Sequence, residues 1–300
     1  MAQFDRRAVI KDSVRSFAIM VMASLSSGLY LVATPIGNLK DITLRALDVL
    51  RQADMVACED TRTSRTLLNH YGIVPPRLIP YHDFSDERQR QRILQAIQGG
   101  AAVALISDAG TPLIADPGYK LVQACHDQGV PVIPIPGACA AVAGMMMAGL
   151  PTHRFLFVGF IGPKDLNWPR ETTVVGYVAC HDVPKVLSAL QDHFGDQAHI
   201  ALCREMTKMH EGTFRGSPQS VSEALSQRAA QDPKIMGGEW VLVAHIAAQV
   251  LDPQTLESDM KALVQTHGVK QAVALAQGMW DVPRKTLYTL ALKVAKDPSP

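Results

Sequence analysis

The sequence predicts an α/β protein: a mostly parallel N-terminal sheet, a second domain with a mixed sheet, and a helical C-terminal tail. Three observations support this. From Leu29 to Ala148, apolar runs of strand length alternate with segments of helical spacing. Those runs are continuously apolar, as expected of parallel strands covered on both faces. After Leu150-Pro151 the alternation gives way to more widely spaced strand candidates, and from Pro253 the pattern is helical.

Leu29–Thr34 is the first strand candidate, stopped by Pro35 and turned at Gly37-Asn38; helical spacing follows over Thr43–Gln52. Met55–Cys58 reads as a strand, Arg62–His70 as a helix, Arg77–Pro80 as a strand and Glu87–Gln98 as a polar helix. Ala101–Ser107 is a fully apolar strand candidate. Asp116 and Pro117 have the residue types of an N-cap and first helical position for a helix over Gly118–Asp127. Val130–Ile135 reads as a strand and Ala138–Ala148 as a helix of small, flexible residues that faces the core or a partner copy. In the second half, Phe155–Phe160, Thr172–Val178, Ile200–Glu205, Gly212–Arg215 and Trp240–Ala244 are strand candidates, with a helix over Pro184–His193. The tail predicts helices over Thr255–Thr266, Lys270–Gln277 and Pro283–Lys296. The expected organisation is an extension over 1–28, a first α/β domain over 29–150, a second over 151–250 and the tail over 251–300.

Composition narrows the function classes. The 300 residues carry 29 Lys and Arg against 28 Asp and Glu, so the chain is not a globally basic nucleic-acid binder, although a local basic patch suffices for phosphate. Five cysteines without metal-ligand spacing suit buried free thiols in a reducing, cytoplasmic setting. The ten histidines show no ligand spacing either, and no metal is expected; His153 and His181 read as loop or surface residues. Arg6 and Arg7 precede the apolar stretch Phe17–Leu25, but Asp12 and Arg15 intervene and the stretch is short for a signal. A disordered extension, or a start at Met20 or Met22, is the expectation. The charge-free run Val130–Thr152 approaches membrane-span length, yet Pro131, Pro134, Pro136 and Gly137 break it into strand, turn and helix, so no membrane segment is expected.

Two loops carry the chemistry. Ser107-Asp108-Ala109-Gly110-Thr111-Pro112 follows a buried strand, and ligands of open α/β sheets bind beyond the carboxyl ends of strands. Gly110 permits a close backbone approach, and Thr111 before Pro112 is held extended. Pro134-Ile135-Pro136-Gly137-Ala138 ends the next strand, again with small residues and without a Lys or Arg. The glycine fingerprints of dinucleotide and triphosphate sites are absent, so a nicotinamide dehydrogenase is not supported. A neutral, small-residue pocket suits a cofactor whose adenosine and methionine parts are held by backbone groups. Thr34–Leu39 and Glu59-Asp60-Thr61-Arg62 end the first two strands and open on the same side. There Arg62 and Arg65 could meet phosphate, while Glu59 and Asp60 also suit the start of a helix.

Ala33–Leu39, Glu59–Arg62, Ser107–Tyr119 and Pro134–Ala141 resemble the ribosomal RNA small subunit methyltransferase I family, within the tetrapyrrole methylase superfamily. In the second half, Arg204-Glu205-Met206-Thr207-Lys208 with Glu211, and Gly238–Val243, are similar to two strands of that family. The tail, with Lys270, Ala272, Ala274 and Tyr288, resembles its C-terminal extension. The resemblance implies a two-domain tetrapyrrole-methylase-like fold, S-adenosylmethionine as cofactor in the cleft between the domains, and generally a homodimer. It implies methylation of the ribose 2′-hydroxyl of a cytidine in the decoding region of 16S ribosomal RNA, with the free RNA or the 30S subunit as partner. Carried onto this chain, the cofactor residues are Pro35, Gly37, Asp108, Ala109, Gly110, Thr111, Pro112, Pro136, Gly137, Ala138 and Met206. Arg62 and Arg65 are the RNA contacts.

Three segments depart from the family pattern. Gly162-Pro163-Lys164-Asp165 is shorter than the family's basic loop. Tyr177–Asp182 lacks a glutamate and an arginine, and Asp281 and Pro283 replace a glycine and a lysine. Methyl transfer is a direct displacement, in which positioning supplies up to about 7–11 kcal/mol and a general base assists the hydroxyl. Asp60, Glu59 and Glu205 are the candidates for that base; Lys208 could instead stabilise an alkoxide or hold phosphate. The rival readings are a precorrin-type tetrapyrrole methyltransferase and a non-catalytic ribosome-binding protein that uses S-adenosylmethionine as a ligand.

Overall fold

The computed structural model describes residues 24–82, 87–248, 253–280 and 282–296; most of the expected N-terminal extension, and Asp281, lie outside them. The chain divides into two compact units: residues up to Pro35 with Leu39–Ala138, and Ile36–Asn38 with Cys139 onward.

In the first unit, strands and helices alternate: β1 (Gly28–Val32), α1 (Leu44–Gln52), β2 (Met55–Cys58), α2 (Thr61–His70), β3 (Leu78–Pro80), α3 (Glu87–Gln98), β4 (Ala102–Ile106), α4 (Tyr119–Asp127) and β5 (Val132–Ile135). The sheet order is β3-β2-β4-β1-β5, and every pairing is parallel. Side-chain alternation divides the strands between two cores. Tyr30, Val32, Val56, Ala104 and Ile106 meet Ala46, Val49 and Leu50 of α1 and Leu68 of α2 on one face. Leu29, Ala57, Val103 and Leu105 meet Ile93 and Leu94 of α3 and Leu121 and Cys125 of α4 on the other.

Helix starts follow local capping with one correction. Thr43 caps α1 through its hydroxyl, which accepts from the Ala46 N–H at 3.1 Å. Asp116 and Pro117 do not start a helix: α4 begins at Tyr119 behind Gly118, whose φ of 133° and missing side chain give no capping bond. Asp116 belongs instead to an irregular loop in which the non-glycine residues Leu113 and Ala115 take φ of 73° and 63°.

The second unit comprises α5 (Ala140–Ala148), β6 (Phe155–Phe160), β7 (Thr172–Val178), α6 (Val183–Phe194), β8 (Ala198–Arg204), β9 (Gly212–Gly216), α7 (Pro218–Gln231), β10 (Trp240–Ile246), α8 (Pro253–Met279) and α9 (Arg284–Lys296). Its sheet runs β6-β7-β10-β8-β9; β6 and β7 are parallel and the other pairs antiparallel. Val183, Leu187 and Leu190 of α6 and Val221 and Leu225 of α7 bury one face with Val174, Ile200 and Leu242. On the opposite face Gly144 lets α5 approach β10 so closely that a Cβ there would fall 2.7 Å from Val241 Cγ1.

The sequence reading contains no helix between Gly212 and Trp240, yet α7 has 14 residues. Only Pro218, Val221 and Leu225 of it are buried, too narrow a stripe for periodicity to show. Ser217 and Pro218, an N-cap and first helical residue, were the available signal. In the tail, Gly268 (φ 75°, ψ 162°) interrupts α8, so the two expected segments meet at a break. The five cysteines are free; Cys58, Cys125 and Cys203 are buried, whereas Cys139 and Cys180 are only half-buried. His153 and His181 are exposed, as expected. Among the described residues, no helix is long and apolar enough to cross a membrane.

Candidate active site

The first unit has a topological switch point. Strands β1 and β4 are neighbours, but the chain leaves β1 for α1 on one face and β4 for α4 on the other. Such a divergence opens a crevice at the carboxyl ends of the two strands, the usual ligand position in doubly wound sheets.

Backbone and side-chain bonds lock the strand ends around this crevice. Thr34 N donates to Gly110 O at 2.8 Å and Gly110 N to Thr34 O at 3.1 Å, a bridge that Gly110 meets with φ 78°. Thr111 Oγ1 donates to Ala138 O at 2.9 Å, tying the loop after β4 to the loop after β5. The Asp60 N–H donates to Asp108 Oδ1 at 3.1 Å, tying β2 to β4. A Cβ on Gly137 would lie 2.8 Å from the Ala33 Cβ, so only glycine permits that approach of β5's end to β1's. Pro35 and Pro112 are buried beneath the loops, while Asp108, Ala109, Pro136 and Gly137 are exposed. Of the expected cofactor residues, nine therefore gather at one sheet end: Pro35, Asp108–Pro112 and Pro136–Ala138.

The carboxylates at this end differ in character. Asp60 caps α2, accepting from the Arg62 N–H at 2.7 Å. Its oxygens also take the Arg62 Nε at 3.1 Å and Nη2 at 2.6 Å. These bonds from Arg62 pull the Asp60 carboxyl down to about 2. Arg62 itself is 89% exposed but committed to that carboxylate. Asp116 is the opposite case. Burial pushes its carboxyl up to about 6, the Glu59 and Asp108 carboxylates add to the rise, and a hydrogen bond from Ser107 only partly opposes it. No ion pair to Asp116 occurs among the described residues. The sequence reading spent Asp116 on a cap and did not single out this carboxyl.

Of the other expected residues, Glu205, Met206 and Lys208 lie in the second unit, in one strained turn after β8. Glu205 and Thr207 have φ of 47° and 67°, values that cost non-glycine residues roughly 1–3 kcal/mol each. Lys208 Nζ lies 3.0 Å from Glu205 Oε1 and 3.0 Å from Glu239 Oε2. Glu239 N donates to Glu205 Oε1 at 2.9 Å, and Thr207 N donates to Glu211 Oε2 at 2.6 Å. Burial raises the Glu205 carboxyl, but the Glu239 N–H and Lys208 outweigh it and hold it below its ordinary value. Burial likewise opposes the Lys208 charge, and the two glutamates outweigh it. Asn38 N donates to Thr207 Oγ1 at 3.0 Å. Gly37 lies against the turn so tightly that a Cβ would fall 2.5 Å from Lys208 Cγ; Met206 is buried. Behind the turn, the buried Arg204 donates to the carbonyls of Gly237 (2.9 Å), Lys234 (3.0 Å) and His210 (3.1 Å). Sequence reasoning assigned Arg204 no role.

The donor set fits an adenosyl sulfonium. Exposed residues stand at Asp108-Ala109 and Pro136-Gly137, on loops held in place by the bonded Gly110 and Ala138. The surrounding side chains are carboxylates that favour a cation, and the cradle at Gly137 is one that a Cβ would fill.

Comparison with known proteins places this geometry in a class. The family model for Tetrapyrrole (Corrin/Porphyrin) Methylases matches residues 28–221. Two solved structures share the fold. A uroporphyrin-III-C-methyltransferase from Thermus thermophilus is 24% identical with a TM-score of 0.52, covering 73% of this chain and 94% of that one. A diphthine synthase is 16% identical with a TM-score of 0.54, covering 73% and 90%. Curated relatives extend further along the chain. Proteins named ribosomal RNA small subunit methyltransferase I are 37% identical in Pasteurella multocida, covering 91% of this chain and 99% of the relative. The Synechocystis protein of that name is 39% identical over 90% and 99%, and that of Escherichia coli O157:H7 39% over 88% and 94%. The chain therefore belongs to the ribosomal RNA small subunit methyltransferase I family of the tetrapyrrole methylases, which use S-adenosylmethionine.

Proposed function

We propose that the chain transfers the methyl group of S-adenosylmethionine to small-subunit ribosomal RNA, at the ribose 2′-hydroxyl of a cytidine in the decoding region of 16S RNA. One observation carries the reading from geometry: the switch-point crevice, braced by the Thr34–Gly110 bridge and lined by small residues and carboxylates. The near full-length match to relatives bearing the methyltransferase name supports the RNA substrate.

The bound cofactor supplies a methyl carbon made electrophilic by its sulfonium. The chain's contribution is to hold and orient. The Asp108–Gly110 and Pro136–Ala138 backbones take the nucleoside, with Pro35, Thr111 and Pro112 fixing the loops. In the second unit Gly37 and Met206 keep the cofactor role the resemblance implies. The proton acceptor is a carboxylate of the first unit. Asp60 is held by Arg62 and Glu205 by Lys208, which leaves Asp116, with Glu59 and Asp108 beside it, as the group poised to gain a proton near neutrality. Lys208 is spent on two glutamates, so it shapes its turn rather than meeting an alkoxide. Arg62 and Arg65 remain at the start of α2 as RNA contacts, Arg62 with its fork shared with Asp60.

The test is labelling from radioactive S-adenosylmethionine, offered in parallel to 30S subunits lacking the modification, to naked 16S RNA and to a precorrin-like macrocycle. Mapped ribose methylation of a decoding-region cytidine is the expected result. Label in the macrocycle alone, or cofactor binding without transfer, would overturn the assignment. A homodimer and a cytoplasmic location belong to the same proposal; a monomer mass by light scattering would remove the former.

A further inference from the structure

A cavity of about 880 Å³ opens in the first unit between the edge strand β3 and α3, and three guanidinium groups line it: Arg77, Arg88 and Arg92. All three residues are exposed, and none has an ion pair or a side-chain hydrogen bond among the described residues. Arg88 and Arg92 stand four apart on α3, a spacing at which like charges repel and destabilise the helix. The nearest acid of that helix, Glu87, is taken by Arg90 and Gln91. Among the described residues, three arginines thus stand without a charge partner around one groove. Ile79 contributes an apolar wall and Gln95 an amide. Local cost without a local partner marks a surface shaped for something outside the chain.

We propose that this groove binds the phosphate backbone of the RNA substrate. Guanidinium forks match phosphate oxygens two at a time, and a series of them along an edge suits a polyanion. The phosphate contact expected at Arg62 shares its fork with Asp60, whereas no described residue pairs with the groove arginines. The proposal rests on the RNA-substrate reading, but binding can be measured without catalysis.

The experiment is fluorescence anisotropy of a labelled decoding-region transcript against the full chain over a range of salt. Wild type is compared with the triple variant Arg77→Gln, Arg88→Gln, Arg92→Gln, and with Arg228→Gln on α7 as control. The triple variant is expected to bind about tenfold more weakly or worse, regardless of sequence, and to lower the salt slope by about 2, at roughly 0.7 per phosphate contact. Calorimetric affinity for S-adenosylmethionine and the melting curve stay as in wild type, and the control loses nothing. If the triple variant melts early, each single variant should still lose about 0.7 of slope. Unchanged affinity and slope would overturn the groove, and so would poly-glutamate competing as well as RNA, which would mark a protein partner. Wild type that methylates subunits beside an unaffected variant sinks the groove alone. Wild type that transfers no methyl, beside a variant that loses RNA, sinks the enzyme assignment alone.

Discussion

Thr34 and Gly110 exchange two backbone hydrogen bonds, at 2.8 and 3.1 Å, across the carboxyl ends of two parallel strands. The pairing is a single antiparallel bridge in an otherwise parallel sheet, and it requires the left-handed φ of 78° at Gly110.

Gly110→Val is therefore expected to cost about 1–2 kcal/mol of stability from backbone strain alone. It should also reduce the affinity for S-adenosylmethionine severely. Denaturant unfolding and calorimetry separate the two effects. Unchanged cofactor affinity would remove this loop from the site.

Asp116 should govern the acid side of activity. The proton acceptor must be ionised, so kcat/KM should rise with pH through about 6, and Asp116→Asn should abolish that limb and slow transfer, by roughly 10²–10⁴-fold. Carboxyl NMR of the free protein should show a titration near 6 that the variant lacks. The sign for stability is opposite to that of an ordinary paired aspartate. The folded value lies above the unfolded one of about 3.9, so the contribution is complete below the latter and lost as pH rises through the former. The asparagine variant should then gain stability relative to wild type at neutral pH. An acid limb that persists in the variant would return the role to Glu59 or Asp108.

Lys208→Met leaves the Glu205 and Glu239 carboxylates facing each other without their cation. Both ends of the Lys208–Glu205 pair are partly solvated, so the expected loss is about 1 kcal/mol at neutral pH. The Glu205 carboxyl, depressed in the wild type, contributes stability above its unfolded value that is lost as pH falls. The variant should lose part of that acid dependence. Identical pH–stability curves would show that the network carries no energy.

Gly144→Ala tests the packing of α5. The added methyl would sit 2.7 Å from Val241 Cγ1, a clash with a strand side chain that cannot swing away freely. Overpacking of this kind costs typically about 1–3 kcal/mol. A melting temperature equal to wild type would mean that α5 shifts at no cost.

The central strands were legible because they are buried on both faces, so a bare apolar run such as Met55–Cys58 or Ala102–Ile106 marks its own ends. The small-residue loops followed from the same runs, since they stand directly after them, but the switch point rests on the order β3-β2-β4-β1-β5, which the runs do not give. Asp116 was misread for a physical reason: Asp-Pro before a helical pattern is a common start. The left-handed turns at Leu113 and Ala115 that displace it involve residues whose identity does not announce that geometry. The Glu205–Lys208–Glu239 triad was out of reach as well. It depends on the register that sets Arg204 opposite Trp240 in neighbouring strands 36 positions apart in numbering, which no local pattern encodes. The arginines of the groove were visible as letters, but only the fold brings Arg77 beside α3.

The tail closes on itself. Met260, Ala272, Val273 and Ala276 of α8 bury Leu287, Ala291 and Val294 of α9 in a cluster that shares no residue with the core of the second sheet. The tetrapyrrole methylase model ends at residue 221, before this pair of helices begins, whereas the curated relatives cover about 90% of the chain. A module with a private interior can be gained, lost or exchanged without disturbing the framework that carries it. This helical pair thus draws its stability from its own contacts, so its outer faces can change without strain reaching the sheet before it.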